Sequence, residues 1–263
     1  VIHAATPLNI KFGSNHDGRC DIFEPAIKST SELLACLARH SSTVSCLVLT
    51  SSMSSMAPRP EPTVKDESHW SDPKAQQGSE NWYGCTKTTQ ELMVRDWVRQ
   101  AKETNVLSPS FLYAAICPTM VVGPVLRSSA EVSGTMGSLL KWCKGARSEA
   151  PNDSMSFIHV EDCAKMHTRI LDCMGTSDNK MIINPHQRYM SLIESLHWND
   201  ILALLKELYP TLPVYKTYDG EDRVIPTQFN LENMKSLNVP VRSTRETLQD
   251  ALEYLKRVGA LSI

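Results

Sequence analysis

Short apolar runs alternate with helical patterns along the first part of the chain. VIHAAT at 1–6, VSCLVLT at 44–50 and FLYAAIC at 111–117 are nearly continuous apolar runs of strand length. Between them, apolar positions recur at helical spacing from Phe23 to Arg39 and from about Trp82 to Glu103. Apolar strands that alternate with helices are typical of a parallel sheet buried on both faces. The pattern therefore predicts an α/β fold built on a doubly wound parallel sheet.

The rest of the chain has a looser pattern. A polar segment with prolines at 58, 60 and 62 is predicted to be a loop that reaches ESHWSD at 67–72. Further on, the pattern predicts a helix from Met136 to Trp142, a strand over 156–160, a helix from Asp162 to Met174 and a strand over 180–184.

The C-terminal segment carries a clear helix signal. Ser243 with Glu246 three residues later is a capping box, and Leu248, Leu252 and Leu255 follow on one side of a helix that ends near Gly259. We find no internal repeat and no low-complexity tract.

Composition and charge narrow the class of protein. Of the 263 residues, 41% are hydrophobic and 21% are charged, and the net charge is −2, which argues against nucleic acid as a partner and against disorder. No apolar run has the length of a membrane span, and no secretory signal opens the chain. The eight cysteines are scattered without a C-x-x-C pair, which favours reduced, mostly buried thiols. We therefore expect a soluble cytoplasmic protein without a membrane partner.

Three polar side chains suggest a site for carbonyl reduction. Ser52 follows a predicted parallel strand, at the end where open α/β sheets form their sites, and Tyr83 and Lys87 are one helical turn apart. A tyrosine can donate a proton to a developing alkoxide if a nearby ammonium lowers its pKa from about 10. The spacing predicts that Tyr83 is the acid, that Lys87 lowers its pKa, and that Ser52 holds the carbonyl oxygen.

Six segments in order resemble one known family. They are VIHAATP, CLVLTSS, ESHWSD, NWYGCTK, CPTMVVGP and FIHVEDCAKMH. All resemble blocks of the extended short-chain dehydrogenases/reductases of the dihydroflavonol reductase and cinnamoyl-CoA reductase group, in the NAD-dependent epimerase/dehydratase superfamily. The resemblance implies that residues 1–124 are the C-terminal part of an NAD(P)-binding Rossmann domain. It also implies that residues 125–263 are mainly a smaller substrate-binding α/β region, with some segments returning to the Rossmann sheet.

The resemblance also implies an activity and a cofactor. Relatives are oxidoreductases that reduce an aldehyde, a ketone or a CoA thioester with a nicotinamide cofactor, here expected to be NADP, with NAD as the alternative. The family's catalytic Ser, Tyr and Lys fall on Ser52, Tyr83 and Lys87. The positions that contact the cofactor in relatives fall on Ala5, Thr6, Pro7, Thr50, Ser51, Tyr83, Lys87, Pro118, Thr119 and Val121.

Several positions depart from the family pattern. Met53 and Ala57 fall on the substrate side, and Ala57 replaces an Asn of dihydroflavonol reductases, while Met155 and Ser156 stand where those enzymes have a Gln. These departures argue against a flavonoid substrate. Lys141 falls where cinnamoyl-CoA reductases have a basic residue near the CoA. We expect a small-molecule carbonyl substrate and a monomer or homodimer.

The dinucleotide-binding glycine turn has no counterpart in these residues. In relatives, about two βαβ units that carry this turn precede the VIHAATP block. We therefore expect residues 1–263 by themselves to bind NADPH weakly or not at all. Two alternatives follow, namely a non-catalytic or truncated reductase fragment and a relative of the 3β-hydroxysteroid dehydrogenases or sugar epimerases.

Other polar and aromatic residues have structural interpretations. His159 and Asp162 resemble an acid/base pair, but their block is predicted to be a strand-to-helix junction. The tryptophans at 70, 97, 142 and 198 are predicted to pack in the interior. No histidines or cysteines have the spacing of metal ligands, so we predict no metal site.

Overall fold

The structure, a computed structural model, describes residues 1–6, 17–126, 132–145, 148–174 and 187–262. The strands are β1 Ile2–His3, β2 Cys46–Thr50, β3 Val64–Lys65, β4 Leu112–Pro118, β5 Met120–Val122, β6 Ser154–His159, β7 Arg188–Ser191, β8 Ser195–His197 and β9 Gln228–Phe229. The helices are α1 Glu24–Arg39, α2 Pro73–Gly78, α3 Trp82–Glu103, α4 Gly134–Cys143, α5 Val160–Met174, α6 Trp198–Leu208, α7 Glu232–Ser236 and α8 Thr244–Arg257. A π-helical turn covers Arg19–Phe23 and a 3₁₀ turn covers Met53–Ser55.

The chain divides into two compact units. Unit 1 comprises Val1–Pro118, Met166–Met190 and Leu231–Asn238, and unit 2 comprises Thr119–Lys165, Ser191–Asn230 and Val239–Ile263. The family resemblance implies a domain boundary after residue 124.

Unit 1 is built on a parallel sheet whose strand order is β1-β2-β4-β7. The β1 and β4 strands both run parallel to β2, with Ile2 opposite Val48 and Cys46 opposite Leu112. Successive side chains of β2 point to opposite faces of the sheet, and Leu47, Val48 and Leu49 are all buried. The predicted parallel sheet is therefore confirmed, and burial on both faces holds for β2 and β4. It does not hold for the first predicted strand, because β1 covers only Ile2–His3 and both Val1 and Ile2 are exposed. Because β1 and β2 are parallel, the residues that follow them lie at the same edge.

Two helices cover one face of this sheet. Their apolar stripes pack with alternate residues of β2 and β4 in a cluster that includes Leu34, Leu37, Leu47, Leu49, Val94, Val98, Tyr113 and Ala115. The α3 helix begins at Trp82 because the Asn81 side chain accepts a hydrogen bond from the Gly84 amide at 3.0 Å. This cap places Tyr83 in the first turn of α3 and Lys87 one turn later on the same face.

Unit 2 has its own sheet and an apolar core. The β5 strand runs parallel to β6, and β6 pairs with β8 in the antiparallel sense. Trp142 and Trp198 meet edge to face in this core, with ring centroids 4.5 Å apart. The predicted capping box is confirmed, since Ser243 and Glu246 exchange side-chain to backbone hydrogen bonds at the start of α8.

Several elements differ from the sequence-based expectations. The predicted loop that reaches residues 67–72 contains β3, and neither the 3₁₀ turn before it nor α2 after it was predicted. The α2 helix forms because Asp72 caps the Lys74 amide and Pro73 occupies the first helical position. The hydrophobic pattern did not predict β7, β8 or α6. The predicted strand over 180–184 lies outside the described residues. The strand-to-helix junction is confirmed, because α5 begins directly after His159, the last residue of β6.

Two further expectations concern the state of the cysteines and the absence of a membrane-spanning helix. None of the eight cysteines, all of which lie in the described ranges, forms a disulfide. Burial holds for only half of them, because Cys20 and Cys36 are exposed and Cys46 and Cys173 are partly so. Among the described residues, no helix combines the length and the apolar character needed to cross a bilayer.

Candidate active site

Ser52 and Tyr83 come together beside the edge of the unit 1 sheet. Ser52 follows β2 directly and caps the 3₁₀ turn, with its Oγ accepting a hydrogen bond from the Ser54 amide at 3.1 Å. Tyr83 is half-buried in the first turn of α3. Burial raises the pKa of Tyr83 above its ordinary value of 10.0, while a hydrogen bond from Ser52 acts in the opposite direction. The phenol is therefore neutral over the physiological pH range.

This direction differs from the one expected from the Tyr-x-x-x-Lys spacing. The expected lowering of the Tyr83 pKa by Lys87 is wrong for the structure described, because removal of the phenol from water outweighs the other influences. The Lys87 ammonium instead points at the hydroxyl of Thr6, which follows β1, and at the carbonyl oxygen of Thr50, the last residue of β2.

Lys87 is buried with its charged group at the sheet edge. Only 5% of the residue is exposed, and its Nζ donates hydrogen bonds to Thr6 Oγ1 at 2.7 Å and to the Thr50 carbonyl oxygen at 2.9 Å. Burial lowers the pKa of Lys87 to about 8, and the charges of Cys117 and Glu91 act against this shift. A lysine with these contacts is held in one orientation and titrates near neutral pH.

The surroundings of Lys87 fit the ribose of a nicotinamide cofactor. An ammonium carries three hydrogens, and the described part of the chain provides acceptors for two of them. His3 Nε2 is also buried without a hydrogen-bond partner in these residues, and burial and the Lys87 charge lower the pKa of His3. A sugar hydroxyl could accept from Lys87, so the residues present are compatible with the predicted cofactor.

The other predicted cofactor residues of unit 1 have varied environments. Ala5 is exposed, Pro118 is buried at the end of β4, and Pro7 lies outside the described residues. The Thr50 hydroxyl lies 2.8 Å from His167 Nε2. The Ser51 hydroxyl donates to Glu91 Oε2 at 2.5 Å, so it is directed into the protein.

The remaining predicted site residues are distributed over both units. In unit 1, Met53 and Ala57 are half-buried, and the Ala57 amide donates to Ser71 Oγ at 2.8 Å. In unit 2, the Thr119 hydroxyl donates to the Ser156 carbonyl at 2.9 Å, Val121 belongs to β5, and Lys141 is exposed in the last turn of α4.

An open cavity of about 500 Å³ borders Tyr83 in unit 1. Gly18, Ile22 and residues 80–83 contribute to its wall. The indole of Trp82 packs closely against Gly18, where an added Cβ would lie 2.3 Å from the ring. A small molecule in this cavity would contact a wall that includes Tyr83.

A buried ion pair next to the site was not predicted. Arg188 of β7 and Glu91 of α3 are each 1% exposed, and Arg188 Nε donates to Glu91 Oε1 at 2.5 Å. The sequence did contain a signal for Glu91, because it lies four residues after Lys87 and therefore on the same face of α3. Arg188 had no comparable signal, because the pattern did not predict β7.

Comparisons with known proteins place this chain in a family. Residues 1–184 match the model of the NAD dependent epimerase/dehydratase family. Cinnamoyl-CoA reductase 2 of Medicago truncatula is 26% identical over 268 residues, which cover 100% of this chain and 71% of that protein. Tetraketide alpha-pyrone reductase 2 of Arabidopsis thaliana is 30% identical over 220 residues, which cover 81% of this chain and 61% of that protein.

Two solved structures with the same fold carry the name of a reductase. Yeast methylglyoxal/isovaleraldehyde reductase Gre2, solved with NADPH, has a TM-score of 0.76 at 19% identity and covers 99% of this chain and 77% of its own. Vestitone reductase from alfalfa (Medicago sativa) has a TM-score of 0.70 at 19% identity, and the match covers 99% of this chain and 76% of that chain. The predicted Rossmann-like fold, the oxidoreductase class and the resemblance to cinnamoyl-CoA reductases are confirmed. The chain belongs to the NAD-dependent epimerase/dehydratase family.

Proposed function

We propose that this chain carries the catalytic residues of an NADP-dependent reductase that acts on an aldehyde or a ketone. The main support is the arrangement of Ser52, Tyr83 and Lys87, in which a neutral phenol, a hydroxyl and a buried ammonium line one edge of the sheet. This set of groups can bind a carbonyl oxygen and give it a proton.

Each of the three side chains has a distinct task in this reaction. Tyr83 is the proton donor, and its raised pKa keeps the proton in place until negative charge develops on the substrate oxygen. Ser52 donates a hydrogen bond to the same oxygen and orients it toward Tyr83. Lys87 is held by Thr6 Oγ1 and the Thr50 carbonyl oxygen, and its remaining N–H can donate to a ribose hydroxyl of the cofactor. Bound NADPH would supply the hydride.

The choice of NADP is supported by relatives. The family description names a nicotinamide dinucleotide, and the yeast Gre2 structure and a Gre2 structure from Candida albicans both contain NADPH. Because the cinnamoyl-CoA and tetraketide alpha-pyrone relatives are named reductases, reduction is better supported for this chain than sugar epimerisation.

A CoA thioester is a second candidate substrate. It is favoured by the cinnamoyl-CoA reductases among the curated relatives and by an exposed basic residue, Lys141, at the position predicted to lie near the CoA. The aldehyde or ketone remains the first proposal because the Ser52, Tyr83 and Lys87 arrangement requires only a carbonyl group.

The test is NADPH oxidation, with a panel of carbonyl compounds, by a chimera in which the glycine-turn units of a relative precede residue 1. Residues 1–263 alone are the control, which is expected to bind NADPH weakly or not at all. The panel contains an aromatic aldehyde, an aliphatic aldehyde, a ketone and an aromatic CoA thioester, and we expect turnover with at least one. NADPH at a hundred times its Kd should also stabilise the fold by about 2.7 kcal/mol. Absence of both turnover and thermal stabilisation would contradict the proposal and favour the non-catalytic alternative.

A further inference from the structure

The Glu91 carboxylate is enclosed by polar groups in the interior of unit 1. Its Oε1 accepts from Arg188 Nε at 2.5 Å, and its Oε2 lies 3.3 Å from Arg188 Nη2. Because both residues are 1% exposed, this is a desolvated and hydrogen-bonded pair. Such a pair is weak evidence for stability, since replacing it by apolar residues is often neutral or stabilising. Its contacts suggest a different role.

Glu91 also holds the turn that carries Ser52. The hydroxyls of Ser51 and Ser55 donate to Glu91 Oε2 at 2.5 and 2.7 Å. These two serines flank Ser52 on both sides in sequence. One carboxylate on α3 therefore fixes the backbone around Ser52 relative to the helix that carries Tyr83.

Arg188 completes the attachment of this turn. Its Nη2 donates to Ser55 Oγ at 2.9 Å, and its Nη1 donates to the carbonyl oxygens of His69 and Glu67 at 2.5 and 3.2 Å. Its guanidinium also lies 3.7 Å from the centroid of the Trp70 ring. The bidentate and stacked geometry explains why arginine is used here and lysine would not replace it.

The charge of Glu91 acts on Lys87, one helical turn before it. Burial lowers the pKa of Lys87 to about 8, and charges on Cys117 and Glu91 oppose that change. Burial raises the pKa of the Cys117 thiol to about 12, so this thiol is neutral near pH 7 and Glu91 is the remaining source of negative charge.

Other titratable groups also face these two residues. Lys87 is faced by His3 of β1 and Cys117 of β4. Glu91 is faced by Arg188 of β7 and by Tyr113 and Cys117 of β4. Burial raises the pKa values of Tyr113 and Cys117 and lowers that of His3, so all three are neutral near pH 7.

We propose that Glu91, oriented by Arg188, is a positioning residue of the active site, which holds Ser52 against Tyr83 and keeps Lys87 charged. This inference rests on the reductase function proposed above. It adds to that function a residue that touches neither the substrate nor the cofactor.

The first test is Glu91→Gln, with Glu103→Gln as the matched control at an exposed position of the same helix. We expect kcat to fall on the order of tenfold to a hundredfold, since small displacements of reacting groups have effects of this size. The alkaline limb of the kcat/KM profile, expected near pH 8 from Lys87, should move to lower pH. An unchanged kcat with an unchanged alkaline limb would overturn the proposal.

Glu91→Gln leaves a buried arginine charge without its partner, so a double variant separates positioning from folding. Glu91→Gln with Arg188→Met removes both charges and should unfold at a higher temperature than the single variant. We expect its kcat to stay low and its alkaline limb to stay shifted, because Ser51, Ser55 and Lys87 still lack the carboxylate. Recovery of wild-type kcat and pH profile together with stability would overturn the proposal.

A measurement without turnover separates this inference from the proposed function. In protein with ¹³C-labelled lysine, the signal absent from Lys87→Met identifies Lys87, and its titration can be followed by NMR. We expect the Lys87 pKa to be lower in Glu91→Gln than in the wild type. A wild type that reduces no carbonyl would contradict the proposed function alone, whereas equal Lys87 pKa values in the two proteins would contradict the role of Glu91.

Discussion

The interiors of the two units differ in what they bury. In unit 1, the ionisable side chains of Lys87, Glu91 and Arg188 lie within the interior, each with hydrogen bonds to backbone or side-chain oxygen atoms. In unit 2, the main cluster is apolar and includes the Trp142 and Trp198 pair.

The difference is one of degree, because unit 1 also has an apolar cluster and unit 2 also buries Asp162. Apolar burial contributes roughly 25 cal/mol per Å² and needs no exact orientation of single groups. Buried charges lose their hydration, and their attraction often fails to offset that loss. The charges of unit 1 are therefore best explained by the positions they give to Ser52, Tyr83 and Lys87.

The largest expected effect on stability is in the apolar core of unit 2. Leu252→Ala in α8 deletes a fully buried side chain and should lower the free energy of unfolding by about 2–5 kcal/mol. Leu126→Ala, at an exposed leucine of the same unit, is the control and should have almost no effect. Equal effects of the two variants in chemical denaturation would contradict the assignment of this core.

In unit 1, by contrast, we expect Lys87→Met to raise the free energy of unfolding. Because the pKa of Lys87 falls from 10.5 to about 8 on folding, keeping it charged costs about 3 kcal/mol below pH 8. The variant avoids this cost but loses two hydrogen bonds worth about 1 kcal/mol each, so we expect a net gain of about 1 kcal/mol together with a large loss of reductase activity.

The pH dependence of this gain follows from the same proton. The unfolded chain binds the Lys87 proton more tightly than the folded chain, so the cost to the wild type is complete below about pH 8 and disappears as pH rises toward 10.5. The stability difference between wild type and Lys87→Met, measured by urea denaturation, should shrink over that range. Lys74→Met, at an exposed position of α2, should show no such trend.

An effect of similar size is expected at an ion pair of unit 2. Arg242 Nη1 donates to Asp162 Oδ1 at 2.5 Å, and Arg242 is 28% exposed while Asp162 is buried. Arg242→Gln should lower stability by about 1 kcal/mol, and less at high salt. The pair of Arg99 with Asp96 in unit 1 is exposed on both sides, so Arg99→Gln should have a smaller effect still. The reverse order in thermal unfolding would contradict this comparison.

The sequence was sufficient for those features that depend on local pattern. The strands over 44–50 and 111–117 and the long helix from Trp82 were predicted because apolar residues recur at the spacing of each element. The proximity of Tyr83 and Lys87 followed from one helical turn, and that of Ser52 from the end of a parallel strand.

Features that depend on distant residues were not predictable in this way. The direction of the Tyr83 pKa depends on burial, which the spacing to Lys87 does not reveal. The pairing of Arg188 with Glu91 joins residues that are 97 positions apart. The α6 helix is capped by the His197 side chain, which is not among the usual N-cap residues.

The most direct test of the account is the turnover of Tyr83→Phe in NADPH-dependent carbonyl reduction, measured beside the wild type. This variant removes only the hydroxyl that donates the proton and keeps the ring that packs in α3. We expect kcat to fall by a factor on the order of 10² to 10⁴ with little change in melting temperature. A folded variant with near wild-type turnover would contradict the assignment of Tyr83 as the acid.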